Sequence, residues 1–102
     1  MSKTIGVIGG MGPAATVDFF AKLLEATPAE RDQDHLRVLI DSNPRVPDRN
    51  AAIAGRGPSP GPQLAEAARG LERAGADVLV IACNTAHAFA AEIQSAVKIP
   101  LL

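Results

Sequence analysis

The segment that decides the fold is Val78-Leu79-Val80-Ile81-Ala82-Cys83-Asn84-Thr85-Ala86-His87. Its first half is a short apolar run, rich in β-branched residues, that ends abruptly in small and polar residues. An Ala-rich segment with helical spacing follows it. This order predicts a buried parallel strand from Val78 to Ala82, then a tight turn, then a helix.

The single cysteine of the chain, Cys83, lies at that turn. Ligands of open α/β sheets bind at the carboxyl ends of the strands, so a thiol at this position faces a site. The first turn of the following helix offers unpaired N–H groups and the positive end of its dipole, and both favour a thiolate. We therefore predict that Cys83 is functional rather than an inert core cysteine.

The composition narrows the classes of protein to which the chain can belong. Its 102 residues are 47% apolar and 21% charged, which predicts one domain with a real core. The net charge of −1 gives no basic excess, which argues against nucleic acid or an anionic membrane as partner. A single cysteine is consistent with a reducing compartment, and no apolar run approaches about 18 residues. We therefore expect a cytoplasmic protein that neither is secreted nor spans a membrane.

The other elements follow from periodicity and from turn residues. Predicted strands are Thr4–Ile8, Leu36–Ile40 and the start of a fourth strand at Ile99–Leu102. Predicted helices are Pro13 to about Ala26 (with the repeat Ala14, Val17, Ala21, Leu24), a short turn at Asn50–Ala54, a helix through Leu64, Ala67, Ala68 and Leu71 with Gly75 as its C-cap, and a helix through Ala86, Phe89, Ala90, Ile93 and Val97. The resulting βαβαβαβ order predicts a three-layer α/β fold, with an open parallel sheet between flanking helices. Because the chain stops as an apolar strand begins, we expect it to be half of something larger.

Two further features carry possible binding chemistry. The segment from residue 43 to residue 62 is rich in proline and glycine, and loops of this length are more often functional than decorative. Its arginines, Arg45, Arg49 and Arg56, are either simply solvated or together form a clamp for a dicarboxylate at the same sheet edge as Cys83.

The second feature is Gly10-Met11-Gly12-Pro13-Ala14-Ala15, which matches the dinucleotide pattern G-x-G-x-x-[GA]. The acidic partner, Asp41, lies further along than the usual ~20 residues, and Pro13 lacks an N–H for a phosphate. A nucleotide, another anion such as a carboxylate, and a tight turn without a ligand all remain open. Cys83 and His87 lie one helical turn apart, but two ligands are too few for a metal, so we expect no metal site.

Three stretches together resemble the aspartate/glutamate racemase family. They are Gly-Gly-Met-Gly-Pro-Ala-Ala-Thr at 9–16, Ser-Asn-Pro-Arg-Val-Pro-Asp-Arg at 42–49, and Ala-Cys-Asn-Thr-Ala-His at 82–87. All three occur in the family's order and span almost the whole chain. This combination is far more specific than the glycine pattern alone.

The resemblance implies two similar α/β domains with an active site between them, and neither pyridoxal phosphate, a metal nor any other cofactor. One cysteine from each domain faces the substrate α-carbon; one thiolate removes the α-proton and the other thiol returns a proton to the opposite face. By resemblance, Cys83 is the catalytic cysteine of this half. Its substrate-binding residues are then Met11, Gly12, Arg49, Asn84 and Thr85.

The same resemblance implies that residues 1–102 are the N-terminal domain of such a racemase, with the second domain absent from this chain. The substrate implied is aspartate or glutamate, which the sequence does not distinguish, and the expected assembly is a homodimer. The alternatives are a non-catalytic module that binds a dicarboxylate, and half of a related enzyme such as hydantoin racemase or maleate isomerase.

Overall fold

A computed structural model describes residues 3–102, so residues 1 and 2 of the predicted domain lie outside it. The strands are β1 (Ile5–Gly9), β2 (Val38–Ser42) and β3 (Val78–Ile81). The α-helices are α1 (Pro13–Ala26), α2 (Arg49–Ile53), α3 (Gly61–Arg73) and α4 (Ala90–Ser95). Two short 3₁₀ turns cover Asp32–Asp34 and Thr85–Phe89.

The apolar first strand is the centre of the sheet. It pairs in parallel with both neighbours, which gives the order β2-β1-β3 and sets Ile5 opposite Val38 and Val78. A side chain at Gly6 would meet Leu71 of α3, whereas one at Gly9 would meet Thr16 of α1. Since residues three apart on a strand point to opposite faces, α1 and α3 lie on opposite sides of the sheet. The predicted three-layer α/β class is confirmed.

The core lies between the sheet and the α3 side. The four apolar positions predicted for the helix before β3 are all buried: Leu64, Ala67, Ala68 and Leu71. They pack with Leu79 of β3 and Ile93 of α4, both of which are fully buried. This helix forms where predicted because its apolar residues recur at i, i+3, i+4 and i+7, and that spacing creates one face for the sheet.

Helix α1 has the predicted bounds but a different buried face. The repeat of Ala14, Val17, Ala21 and Leu24 is exposed, with Val17 70% and Leu24 41% accessible. The residue that α1 buries is Thr16. Because apolar residues continue around most of its circumference, the spacing identifies the helix but not the side that faces the sheet.

The second strand was predicted two residues too early. It begins at Val38 because that is where pairing with β1 starts, and it runs through Asp41 and Ser42, which pair with Ile8 and Gly9. Leu36 precedes it and is exposed. Strand β2 is at the edge of this sheet, where polar side chains are tolerated, so the apolar run does not mark its limits.

The chain after Cys83 also differs from the prediction. It first forms the 3₁₀ turn Thr85–Phe89, and α4 then covers only Ala90–Ser95 and ends before Val97. The fourth strand is reduced to a single parallel bridge between Leu101 and Leu79. A bridge forms because the Leu79 N–H and C=O both bond to this segment, to Pro100 and Leu102 respectively.

Smaller differences concern the ends of elements. Strand β1 begins and ends one residue later than predicted, and β3 ends one residue earlier. The short helix α2 begins at Arg49 because the Asp48 carboxylate accepts the N–H groups of residues 50 and 51. Gly75 lies one residue beyond the C-cap of α3, with φ at 108°, which is where helices favour glycine.

Side chains from two helices hold the final segment in place. The Glu72 carboxylate accepts the backbone N–H groups of Lys98 (2.8 Å) and Ile99 (3.1 Å). The Gln94 amide donates to the Ile99 carbonyl and accepts the Leu101 N–H. Among residues 3–102, no helix has the length and apolarity needed to cross a membrane.

Replacing Gly10 by alanine is predicted to destabilise the fold. Gly10 has φ at 95°, and a β-carbon there would collide with the backbone of Asn43. We expect Gly10→Ala to lower the free energy of unfolding by about 2 kcal/mol or more. Because the chain lacks Trp and Tyr, urea unfolding is best followed by far-UV circular dichroism. The control is Gly12→Ala, which meets nothing within 4 Å; equal losses from the two variants would contradict this account.

Candidate active site

The three strand exits meet at one edge of the sheet. The Gly9 carbonyl accepts the Asn43 N–H at 3.1 Å, and the Ile8 carbonyl accepts the Ala82 N–H at 3.0 Å. The loops after β1, β2 and β3 therefore start side by side. This is the edge at which parallel α/β sheets bind ligands.

The glycine-rich loop after β1 is folded tightly against its neighbours. The Gly10 N–H donates to the Thr16 hydroxyl at 2.8 Å, and that hydroxyl in turn donates to the Gly12 carbonyl at 3.3 Å. Gly10 also packs directly on the Asn43 backbone. The Gly10 N–H is therefore not free for a phosphate, and of the three interpretations the tight turn accounts for Gly9 and Gly10.

An open cleft of about 600 Å³ lies beside Cys83. Four of the predicted site residues line it together: Met11, Cys83, Asn84 and Thr85. Met11 is buried and also packs in the core, whereas Asn84 is exposed at the start of the 3₁₀ turn. The structure thus brings residues from the glycine-rich motif and from the cysteine motif to one cavity, as the sequence predicts.

Helix α1 supplies a wall that the sequence analysis missed. Its lining residues are Ala15, Asp18, Phe19 and Lys22. Their spacing of i, i+3, i+4 and i+7 marks one face of the helix and is visible in the sequence. A more apolar repeat on the same helix, however, predicts a different face. Lys22 donates to the Asp18 carboxylate in an exposed ion pair at 2.8 Å, and this hydrogen bond raises the pKa of Lys22.

The Cys83 thiol is half-buried, and opposing effects act on its ionisation. Burial raises its pKa, but three groups lower it: the Thr85 hydroxyl, the Ala86 backbone N–H and the charge of Arg49. The Thr85 oxygen lies 3.3 Å from the sulfur. The net result is a pKa below the ordinary value of a cysteine. The sequence predicts that N–H groups after Cys83 lower its pKa, and the Ala86 N–H does so. This N–H belongs to a 3₁₀ turn rather than to the predicted α-helix.

Two predicted substrate-binding residues do not line the cleft. Gly12 is exposed at the N-cap of α1, and Arg49 is the first residue of α2. Arg49 is outside the cleft lining, but its positive charge lowers the pKa of the Cys83 thiol. The loop arginines Arg45 and Arg56 are exposed, so of the predicted three-arginine clamp Arg49 is the member associated with Cys83.

His87 is exposed on the 3₁₀ turn, and its backbone N–H donates to the Asn84 carbonyl. Within residues 3–102, no group of three or more His, Cys, Asp or Glu side chains is arranged to hold a metal ion.

Fold and site together define a class: an α/β protein with a half-buried thiol of lowered pKa in a cleft at the carboxyl edge of a parallel sheet. A family model described as Asp/Glu/Hydantoin racemase matches residues 8–102. The chain belongs to this racemase family, which confirms the resemblance seen in the sequence.

Individual relatives agree with the family match. The chain is 32% identical over 108 residues to the broad specificity amino-acid racemase RacX of Bacillus subtilis, covering 96% of this chain and 44% of the relative. An aspartate racemase structure from Picrophilus torridus superposes with a TM-score of 0.90 at 42% identity, covering 99% of this chain and 43% of that one. An aspartate racemase homologue from Pyrococcus horikoshii gives 0.79 at 29% identity, covering 98% and 44%. The chain therefore spans less than half the length of these relatives.

The hydroxyl of Thr85 is predicted to help keep Cys83 ionised. Alkylation by iodoacetamide follows the thiolate, so its rate should rise with pH through a midpoint below the free-thiol value of about 8.5 and then level off. Thr85→Val removes the hydroxyl but keeps the shape, and should move the midpoint to higher pH. Thr85→Ser is the matched control and should stay near the parent. A parent midpoint at or above about 8.5, or no movement in Thr85→Val, would refute the prediction.

Proposed function

We propose that the chain is the N-terminal half of a cofactor-independent racemase for aspartate or glutamate, and that Cys83 is its catalytic base. The observation that carries the proposal is the half-buried thiol of lowered pKa in the cleft beside Met11, Asn84 and Thr85. Residues 1–102 then form the first domain, and a second domain of the complete protein supplies the other acid–base group.

The proposed step is a proton transfer from carbon to sulfur. The Cys83 thiolate takes the α-proton, so that the Cα–H bond breaks, an S–H bond forms and the electron pair remains on the α-carbon, shared with the carboxylate. A second thiol then donates a proton to the opposite face, and the configuration is inverted. A thiolate of lowered pKa can act as a general base near neutral pH.

The carbanion formed in this step is the difficult species, because the α-proton of an amino acid is a very weak acid. Fixed dipoles and charges in a site shielded from water are the usual way to stabilise it. The backbone N–H of Ala86 and the hydroxyl of Thr85 are dipoles of this kind, but they act on the sulfur and stabilise the thiolate rather than the carbanion. The open cleft of this half gives little shielding by itself, which favours a site completed by another domain.

Around the thiol, we propose that Met11, Gly12, Asn84 and Thr85 contact the substrate and that Arg49 draws a substrate carboxylate towards the sulfur. The support for Met11, Asn84 and Thr85 is their place in the cleft lining. The assignment of Gly12 and Arg49 is supported by the motif match. In addition, Gly12 is the N-cap of α1, and the charge of Arg49 lowers the pKa of the Cys83 thiol. A homodimer and a cytoplasmic location complete the proposal; the first comes from the family resemblance and the second from the cysteine usage and composition.

A non-catalytic module that binds a dicarboxylate is the second candidate. The observation in its favour is that the chain contains one cysteine, whereas the racemase mechanism needs an acid–base group on each face of the α-carbon. The two candidates agree about binding and differ about proton exchange, so they can be separated by experiment.

The test of the proposal is proton exchange by the chain itself. We expect slow incorporation of deuterium at the α-carbon of L-aspartate in D₂O, with retained configuration, because Cys83 acts on one face. Mass spectrometry measures the deuterium, and chiral chromatography measures the configuration. Cys83→Ser is the control and should abolish the exchange.

The outcomes separate the candidates. Exchange that persists in Cys83→Ser would overturn the role of the thiol. If aspartate slows the alkylation of Cys83 but no deuterium enters above the buffer rate, the binding module is the correct interpretation. Rapid D-aspartate formation that depends on Cys83 would show that a second acid is present in this chain or in a partner copy, and would refute the need for another domain.

A further inference from the structure

The side chain of Arg49 is fixed by its own loop. Its Nη1 donates to the carbonyls of Val46 at 3.4 Å and Pro47 at 3.3 Å. Val46 is buried in the core, and the Asp48 side chain caps the helix that Arg49 begins. The guanidinium is therefore held by a rigid support rather than by a flexible stem in solvent.

The remaining donors of Arg49 are limited. Its Nε is enclosed and has no hydrogen-bond partner. An arginine normally binds a carboxylate with two parallel N–H groups, and each possible pair includes either Nη1 or Nε. With Nη1 engaged by two carbonyls and Nε enclosed, neither pair is free, so a bidentate grip on a substrate is not available in this geometry.

The sulfur of Cys83 is the group beside this fixed charge. Helix α2 packs against the 3₁₀ turn Thr85–Phe89 that follows the cysteine. The positive charge of Arg49, the first residue of α2, lowers the pKa of the Cys83 thiol. An enclosed cationic N–H without an acceptor favours a negative charge nearby, and a thiolate supplies one. Arg49 and Thr85 then act on the sulfur from two different elements.

We propose that Arg49 is a positioning residue that holds Cys83 as a thiolate before any substrate arrives. The inference rests on the proposed function, because an ionised Cys83 matters for turnover only if it is the base. It changes the main task of Arg49: its charge keeps the basic sulfur ionised, and any pull on a substrate carboxylate is secondary. The thiolate is thus prepared by the Pro-Asp-Arg loop as well as by its own turn.

The experiment compares two alkylating reagents that differ in charge. Iodoacetamide is neutral, whereas iodoacetate carries a carboxylate like that of the substrate. If Arg49 acts on the sulfur, Arg49→Gln should slow both reagents about equally at neutral pH, by about fivefold, the factor that one charge about 4 Å away gives in water. At high pH, where the thiol is ionised anyway, the rate with iodoacetamide should match that of the parent.

Two further variants control the comparison. Arg56→Gln removes an exposed arginine from the same loop and should leave both rates unchanged. Arg49→Lys keeps the charge and should restore part of the neutral-pH rate with both reagents, which also shows that the site has not collapsed. Far-UV circular dichroism checks that each variant is folded.

Three outcomes would overturn the inference. A loss confined to iodoacetate would show that Arg49 serves the incoming carboxylate instead. A parent-like profile in Arg49→Gln would show that its charge does not reach the sulfur. Equal losses in Arg49→Gln and Arg56→Gln would indicate a diffuse effect of the loop charge. None of these results bears on deuterium exchange, so failure here is distinguishable from failure of the proposed racemase function.

Discussion

Two backbone hydrogen bonds at the end of the central strand hold the candidate site together. The last carbonyls of β1 accept the N–H groups of Asn43 and Ala82, the first residues after β2 and β3. Three loops that are far apart in sequence are therefore fixed at their starting points. The positions of Cys83, of Met11 and of the loop that carries Arg49 all depend on this arrangement, and no side chain is needed to create it.

The ionisation of the Cys83 thiol at this edge depends on the balance between burial, which raises its pKa, and nearby polar groups, which lower it. Burial favours the neutral form, and a cysteine in an apolar pocket would remain protonated. Here one hydroxyl, one backbone N–H and one guanidinium oppose burial, and together they prevail. They come from two structural units: the hydroxyl and the N–H belong to the 3₁₀ turn after Cys83, and the guanidinium belongs to α2. The lowered pKa is consequently a property of the folded chain rather than of the short motif around Cys83.

How far the sequence predicts the structure depends on what limits each element. Helix α3 follows from its apolar stripe because burial on one face is what stabilises it, and Cys83 was correctly expected at a strand exit. Strand β2 was shifted because its limits are set by pairing with Ile8 and Gly9, which no local pattern records. The α1 wall of the cleft was missed although its lining residues recur at helical spacing, because a more apolar repeat on the same helix predicts a different buried face. The position of Arg49 beside the sulfur depends on contacts between distant segments and could not be read from spacing.

The hydrogen bonds that the side chains of Glu72 and Gln94 share with the last segment have an evolutionary consequence. All of them contact backbone N–H or C=O groups of residues 98–101, and none recognises a side chain of that segment. The exposed positions of the segment can therefore vary while it keeps its place beside β3, whereas Ile99 and Leu101, which pack against the core, and the two anchors cannot. Variation among homologues should accordingly be confined to the exposed positions of the segment, with constraint on its two core-packed side chains and on the two helix residues that hold its backbone.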